Sequence, residues 1–525
     1  MTAPATTAPA TKMVSLTIEG RQVSVPEGTS ILEAAKYAGI LVPHYCYHPG
    51  LPVAGVCRMC LVEVEKAPKL APSCATAVAE GQVVHVHSEK ALEARKGVLE
   101  LLLINHPLDC PICDQAGECE LQDYTYMEGR ADSRLRDPKR FNPMEDFGGD
   151  VIYVTNRCIL CTRCVRFMDT MAEDPVLNVS ERGDRAVIGK FKGHDLTHPW
   201  AGNVIDLCPV GALLSKDSLN KVRAWEVDRT ASVCPNCTQG CNMIVETRDN
   251  VVVRLRPRAN EAVNRFFMCD YGRLNYRWLN RQDRVDTPMV RRGTELVAAE
   301  WETALQSAAQ LLQGAKARVV ASPMLSNEAL GMLARLVRNT GGTGVYRVDQ
   351  GERAPLPGVK DLARREDLGA NVRGLELFGF TRSQTPAWNL GTDDVLIVAD
   401  ERLAGVDASA IGRPRAIVVI GTTLPSWASS ASVVLPIANF TEEEGTFTNV
   451  DGRVQRFMQA KAAPGYARPG FAVLGDLLAL LGEPTGYMLA SEAFDAIAAS
   501  EAPFNGLRWD TLGLRGAVVA GGAGR

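Results

Sequence analysis

The sequence predicts a multidomain protein of α/β and α+β type, with small cysteine-bearing modules first and a larger α/β domain after them. Three observations predict it. All fifteen cysteines fall between Cys46 and Cys269. A β-hairpin pattern and a capped helix precede the first of them. Beyond residue 284, apolar runs alternate with helical stretches, the pattern of a parallel sheet covered by helices. At 525 residues the chain has room for three to four domains, each with a core of its own.

Composition narrows the function classes. Lysine and arginine number 57 against 61 acidic residues, which gives no basic footprint for nucleic acid and no acidic tail. Mean hydropathy is −0.05. No apolar run approaches the 18 or so residues needed to cross a bilayer; residues 98–104 are core-sized. The Ala/Thr/Pro-rich start lacks the basic and apolar regions of a signal peptide and the arginines of a transit peptide. Membrane association is therefore expected only through partners. A long chain without a signal, rich in C-x2-C pairs, reads as a metal-ligating protein of a reducing compartment rather than a disulfide scaffold.

The first module opens with strands at residues 13–18 and 22–25 around a Glu19–Gly20–Arg21 turn. Ser30 and Glu33 form a capping-box pattern, and Gly39 stops the helix that they begin. Further strands are expected at 61–64 and 83–86. This order suits a small β-grasp ferredoxin. Its ligand set is Cys46, Cys57, Cys60 and Cys74, spaced x10, x2 and x13. Four thiolates on a loop suit a [2Fe–2S] cluster, because soft sulfur matches iron. A structural zinc site is the alternative, although an x10 gap before a lone C-x2-C is unusual for zinc.

A helix over about 91–104, with Leu92, Val98, Leu99, Leu102 and Leu103 as its apolar face, leads to His106, Cys110, Cys113 and Cys119. Three cysteines cannot close a four-iron cluster, and His106 is the candidate fourth ligand. The alternative is that His106 only caps the helix end, where positive charge is favoured. The count favours a ligand: fifteen cysteines and one histidine make four complete sets.

The third set is Cys158, Cys161 and Cys164, joined by the remote Cys208–Pro209. C-x2-C-x2-C with a distant Cys-Pro is the bacterial ferredoxin run. Position 168, where a two-cluster ferredoxin has its fourth cysteine, is Met168. Cys208 is therefore expected to complete a single [4Fe–4S] cluster. The fourth set, Cys234, Cys237, Cys241 and Cys269, again supplies four thiolates, with a zinc knuckle as its alternative.

In the last region, residues 318–321, 395–399 and 416–420 read as strands, and 326–337 and 471–481 as helices. No dinucleotide fingerprint or Walker motif occurs, so a nucleotide is expected to bind elsewhere.

Four sets in this order resemble the large iron–sulfur subunit of respiratory complex I, NADH:quinone oxidoreductase. Its first three cluster modules are shared with [FeFe]-hydrogenases and with NAD-linked hydrogenases and formate dehydrogenases. The resemblance implies one [2Fe–2S] and three [4Fe–4S] clusters, with the fourth off the main electron path. Electrons would enter at the Cys46 set, pass to the Cys158 set and then to the His106 set. No catalytic residue acts on an organic substrate. Implied partners are an NADH/FMN-binding flavoprotein subunit with its [2Fe–2S] companion, a two-cluster ferredoxin-like subunit and other peripheral-arm subunits. The implied place is the cytoplasmic side of a bacterial inner membrane.

Residues 431–436 and 440–455 resemble the pattern near the pterin site of molybdopterin oxidoreductases. No cysteine after Cys269 could ligate molybdenum, so a shortened scaffold without a molybdenum cofactor is expected. The expected division is a disordered tail over 1–12 and a [2Fe–2S] ferredoxin-type domain over 13–90. A one-His/three-Cys [4Fe–4S] domain over 91–130 and a ferredoxin-like [4Fe–4S] domain over 131–226 follow. A molybdopterin-oxidoreductase-type [4Fe–4S] domain over 227–283 precedes a degenerate α/β domain over 284–525. An electron-wire subunit of a hydrogenase or formate dehydrogenase, and a zinc-stabilised scaffold, are the alternatives.

Overall fold

The computed structural model describes residues 12–383, 389–425, 428–483 and 485–522. All but the last residue of the expected tail lies outside them. The chain separates into two units, 1–226 and 227–525.

In the first unit, Met13–Ile18 and Arg21–Pro26 pair as an antiparallel hairpin with Val14 opposite Val25. Val14, Leu16 and Ile18 point inward at every second position, as a half-covered strand requires. Val83–His85 pairs with the first strand in parallel, and Leu61–Val64 and Ala71–Pro72 complete a five-stranded mixed sheet. The helix Ile31–Tyr37 lies beside it. The Ser30 hydroxyl accepts from the Glu33 amide, and Gly39 follows with φ +70°.

The helix Glu89–Leu103 begins two residues earlier than the apolar pattern suggests. Its inward face also differs. Leu99 is buried, but Leu92, Val98, Leu102 and Leu103 are only half-buried, and Arg95 is wholly enclosed. Arg95 Nε meets Glu128 at 2.6 Å, and Nη1 donates to the carbonyls of Leu61 and Val86. A charge is tolerated there because carboxylate and carbonyl oxygens meet three of its donors.

The second unit opens with an antiparallel sheet of Asp228–Val233, Asn242–Arg248 and Val251–Pro257. Its main body is an eight-stranded sheet. Val433–Pro436, Ala416–Gly421, Asp394–Ala399, Lys316–Ala321, Thr343–Tyr346 and Thr381–Arg382 run parallel, in that spatial order. Met289–Arg292 and Glu295–Ala298 add an antiparallel edge. The central strands read as unbroken apolar runs because both faces are covered. Val395, Ile397 and Ala399 join a core formed with the helices Trp301–Leu312, Asn327–Asn339 and Gly470–Leu480, while Leu396 and Val398 join a second core opposite.

Strand order reverses at Lys316–Ala321, with Thr343–Tyr346 and Thr381–Arg382 on one side and the three later strands on the other. Such a reversal opens a crevice at the carboxyl ends of the strands. A cavity of about 440 Å³ lies there, lined by Ser322–Met324, Asp400–Arg402 and Tyr271, among others.

Candidate metal centres

The first set is drawn together by its loop. Cys46, Cys60 and Cys74 are buried and Cys57 is half-buried. The Cys46 amide donates to Cys57 Sγ at 3.4 Å. Hydrogen bonds from Cys57 and Cys74 push the Cys46 thiol down, and one from Cys74 brings Cys60 to about 6. The donating thiols of Cys57 and Cys74 are pushed up by those same bonds. Contacts of Cys57 with Cys46, Cys46 with Cys74 and Cys74 with Cys60 link the four thiols in a row, a donor set that suits soft iron.

The second set follows the end of Glu89–Leu103. Cys110, Cys113 and Cys119 lie within one another's electrostatic reach, with Cys110 exposed and the other two buried. His106 is half-buried, and its Nδ1 is shielded from solvent without a hydrogen-bond partner. Burial, with Lys139 and Arg157 nearby, brings its pKa down to about 4, so the ring is neutral at pH 7. A neutral imidazole with an orphaned nitrogen fits a ligand better than a helix cap, which gains from charge.

The third set surrounds a small cavity of about 20 Å³ lined by Cys158, Cys161, Cys164 and Cys208 with Tyr153, Ile159 and Leu213. Leu160 and Thr162 adopt φ of +52° and +61°, both left-handed, which curls the loop between the cysteines. The Leu160 amide donates to Cys158 Sγ at 3.4 Å. Burial raises the thiols of Cys158 and Cys208 to about 11 and that of Cys161 to about 12. The buried Tyr153 hydroxyl faces Cys158 and has no partner within hydrogen-bond distance. A cavity walled by sulfur with one orphaned hydroxyl fits an iron–sulfur cluster.

The second and third sets are knitted together. Gly211, three residues after Cys208, presses on Cys113; a Cβ there would stand 2.3 Å from the sulfur. Arg157 bonds Asp109, and the Glu120 amide donates to the Pro209 carbonyl.

In the second unit, Cys234, Cys237, Cys241 and Cys269 are all buried and within electrostatic reach of one another. Cys234 donates its amide to the Cys241 carbonyl at 2.8 Å, and Cys269 Sγ caps Asp270–Leu274 by accepting from Gly272 N at 3.3 Å. A Cβ on Gly272 would stand 3.1 Å from Cys234 Sγ. Burial raises all four thiols. Among the described residues, no three His, Cys, Asp or Glu side chains converge on a single-ion site. Sequence reasoning named the cysteines and His106 but missed Tyr153, Arg163 and Arg166, which lie against them. The run Arg-Cys-Val-Arg was the available signal, since two arginines flank one ligand.

Family models match most of the chain between residues 11 and 480. Residues 11–89 match a 2Fe-2S iron-sulfur cluster binding domain, and 95–134 the NADH-ubiquinone oxidoreductase-G iron-sulfur binding region. Residues 148–214 match the NADH-quinone oxidoreductase subunit 3 ferredoxin-like domain. Residues 227–281 match the molybdopterin oxidoreductase Fe4S4 domain, and 284–364 with 367–480 the molybdopterin oxidoreductase domain. The chain is 40% identical over 341 residues to the NADH-quinone oxidoreductase G subunit of Rickettsia felis, covering 64% of this chain and 50% of that protein. The Rickettsia typhi protein of the same name is 37% identical over 69% of this chain and 56% of its own length. The mitochondrial NADH-ubiquinone oxidoreductase 78 kDa subunit of Candida albicans is 42% identical over 63% and 47%. The chain spans about half the length of these curated relatives. A solved NAD+-reducing [NiFe]-hydrogenase chain aligns at 28% identity and a TM-score of 0.35, over 40% of this chain and 90% of that one. By its series of domains and its relatives, the chain is similar to the G subunits of NADH-quinone oxidoreductases.

Proposed function

We propose that the chain is an electron-transfer subunit of an NADH:quinone oxidoreductase, relaying electrons from a flavin-bearing subunit towards quinone in a complex that moves protons. The observation that carries it is the buried cavity walled by Cys158, Cys161, Cys164 and Cys208, in a chain that carries three further sets. Cys46, Cys57, Cys60 and Cys74 would hold a [2Fe–2S] cluster. His106 with Cys110, Cys113 and Cys119, the Cys158 set, and the Cys234 set would each hold a [4Fe–4S] cluster. When bound, such clusters supply reversible one-electron chemistry. The protein's own part is to fix the sulfurs, keep water away from most of them and place backbone donors against Cys57, Cys158 and Cys269.

Residues 284–525 act as scaffold in this reading. At the crevice, Arg284 is committed to Glu442 at 2.6 Å and Arg347 pairs with Glu401 at 3.3 Å, so both cations serve internal carboxylates. The NADH/FMN flavoprotein, a two-cluster ferredoxin-like subunit and peripheral attachment to the cytoplasmic face of a bacterial membrane belong to the same proposal. No helix among the described residues is long and apolar enough to cross a membrane.

The test is anaerobic purification of the full chain with its natural partners, followed by metal analysis and EPR after reduction. About 14 iron atoms per chain and signals from both cluster types are expected. About four zinc ions with a featureless spectrum would sink the proposal.

A further inference from the structure

Arg163 and Arg166 flank Cys164 on the short helix Arg163–Arg166, and their side chains leave their own loop. Arg166 Nη2 donates to the Cys46 carbonyl at 2.5 Å and to the Cys161 carbonyl at 3.3 Å, and Nη1 donates to the Pro52 carbonyl. One guanidinium nitrogen thus touches the backbone of a ligand from each of two sets. Arg163 reaches further round the same ring of loops. Its Nη2 donates to Tyr47 O at 2.8 Å, its Nη1 to Leu207 O at 3.2 Å, and both meet Glu120. These three residues adjoin Cys46, Cys208 and Cys119 respectively.

Arg166 is half-buried, and its charge is felt by Cys46 of the first set and by Cys161 and Cys164 of the third. Guanidinium keeps its proton at any working pH. Reduction adds negative charge to a set of thiolates and iron. A fixed cation in a partly dehydrated place therefore favours the reduced form of whatever lies beside it. A planar fork can also hold two carbonyls at a set separation, which a flexible ammonium does less well.

We propose that Arg166 is a shared positioning residue for the Cys46 and Cys158 sets, holding their ligand loops together and raising both reduction potentials at once. This rests on the electron-transfer reading above. The experiment is EPR-monitored redox titration of the full chain carrying Arg166→Gln or Arg166→Lys, with iron content and magnetic coupling between the two reduced centres measured alongside. Arg166→Gln is expected to make both centres harder to reduce, by roughly tenfold in each equilibrium, or 59 mV for one electron. The other two centres are expected to stay where they were. Arg166→Lys should restore the potentials, yet leave the magnetic coupling altered. Unchanged potentials in iron-loaded Arg166→Gln, or a shift at only one of the two centres, would overturn the inference. So would an equal shift at all four. If Arg166→Gln does not accumulate, Arg166→Lys decides on its own, since unaltered magnetic coupling in that variant would count against the inference. A wild-type chain without iron would instead sink the electron-transfer reading itself.

Discussion

Arg284 and Glu442 meet as a bidentate pair at 2.6 and 2.7 Å, with both side chains almost wholly enclosed. Glu442 also receives the Asn439 amide at 3.1 Å and lies 3.2 Å from Lys461. Arg284 in addition donates to the Thr422 and Ile437 carbonyls. The pair therefore staples the start of the α/β body to the segment after Val433–Pro436.

Removing one partner leaves the other charge buried. Arg284→Met is expected to cost about 3–5 kcal/mol of second-unit stability. The double change Arg284→Met with Glu442→Leu should cost less than Arg284→Met alone. Urea denaturation of the two variants checks this, and a double variant weaker than the single one would refute it.

The Tyr153 hydroxyl faces Cys158 and has no partner within hydrogen-bond distance. Tyr153→Phe removes the donor that would close on a cluster thiolate there, worth about 1 kcal/mol. The third-set centre is expected to become harder to reduce by about fivefold, with iron content unchanged. A redox titration in which that centre does not move would show that the hydroxyl leaves it alone.

In the proposed second set, His106→Cys would replace a neutral donor with an anionic one. The resulting all-cysteine centre is expected to have the lower potential, as the contrast between Rieske and plant-type centres suggests. An equal or higher potential in the titration counts against a ligand role for His106.

Two carboxyls behind the second unit's sheet give a pH dependence with a definite sign. Burial holds Glu328 up at about 7 and Glu443 up at about 8, and the charge of Glu328 adds to the second shift. The folded chain keeps protons there that the unfolded chain releases near 4.5. Their contribution to stability is thus full below that pH, falls as pH rises through about 7 and about 8, and is gone above. Denaturation midpoints should fall from about pH 5 to about pH 8. Glu443→Gln should flatten that fall; an undiminished fall in the variant would point to other groups.

Local signals were legible in the sequence wherever one element explains itself. The hairpin, the Ser30 cap and the parallel strands followed from periodicity and capping chemistry, and the grouping of the cysteines from spacing. Arg95 was not legible, and the run Arg-Cys-Val-Arg marked Arg163 and Arg166 without showing their partners. An arginine in a helical run reads as a solvated residue, and its true partners lie in loops remote in sequence. The Arg166 contact to Cys46 spans 120 positions. The reversal of strand order at Lys316–Ala321 was hidden for a related reason, because parallel neighbours are paired by crossovers that no local pattern records.

The two units also differ in when their sulfur sites can exist during synthesis. Every residue of the first three sets, and both arginines that bind their loops, belongs to the first unit. The loop bearing Cys237 and Cys241 is instead finished by residues from near the far end. Gln455 donates to the Gly240 carbonyl at 2.9 Å, and Asn449 to that of Gln239 at 3.3 Å. On a ribosome, the cysteines of the first three sets can come together while the fourth loop still waits for its last supports.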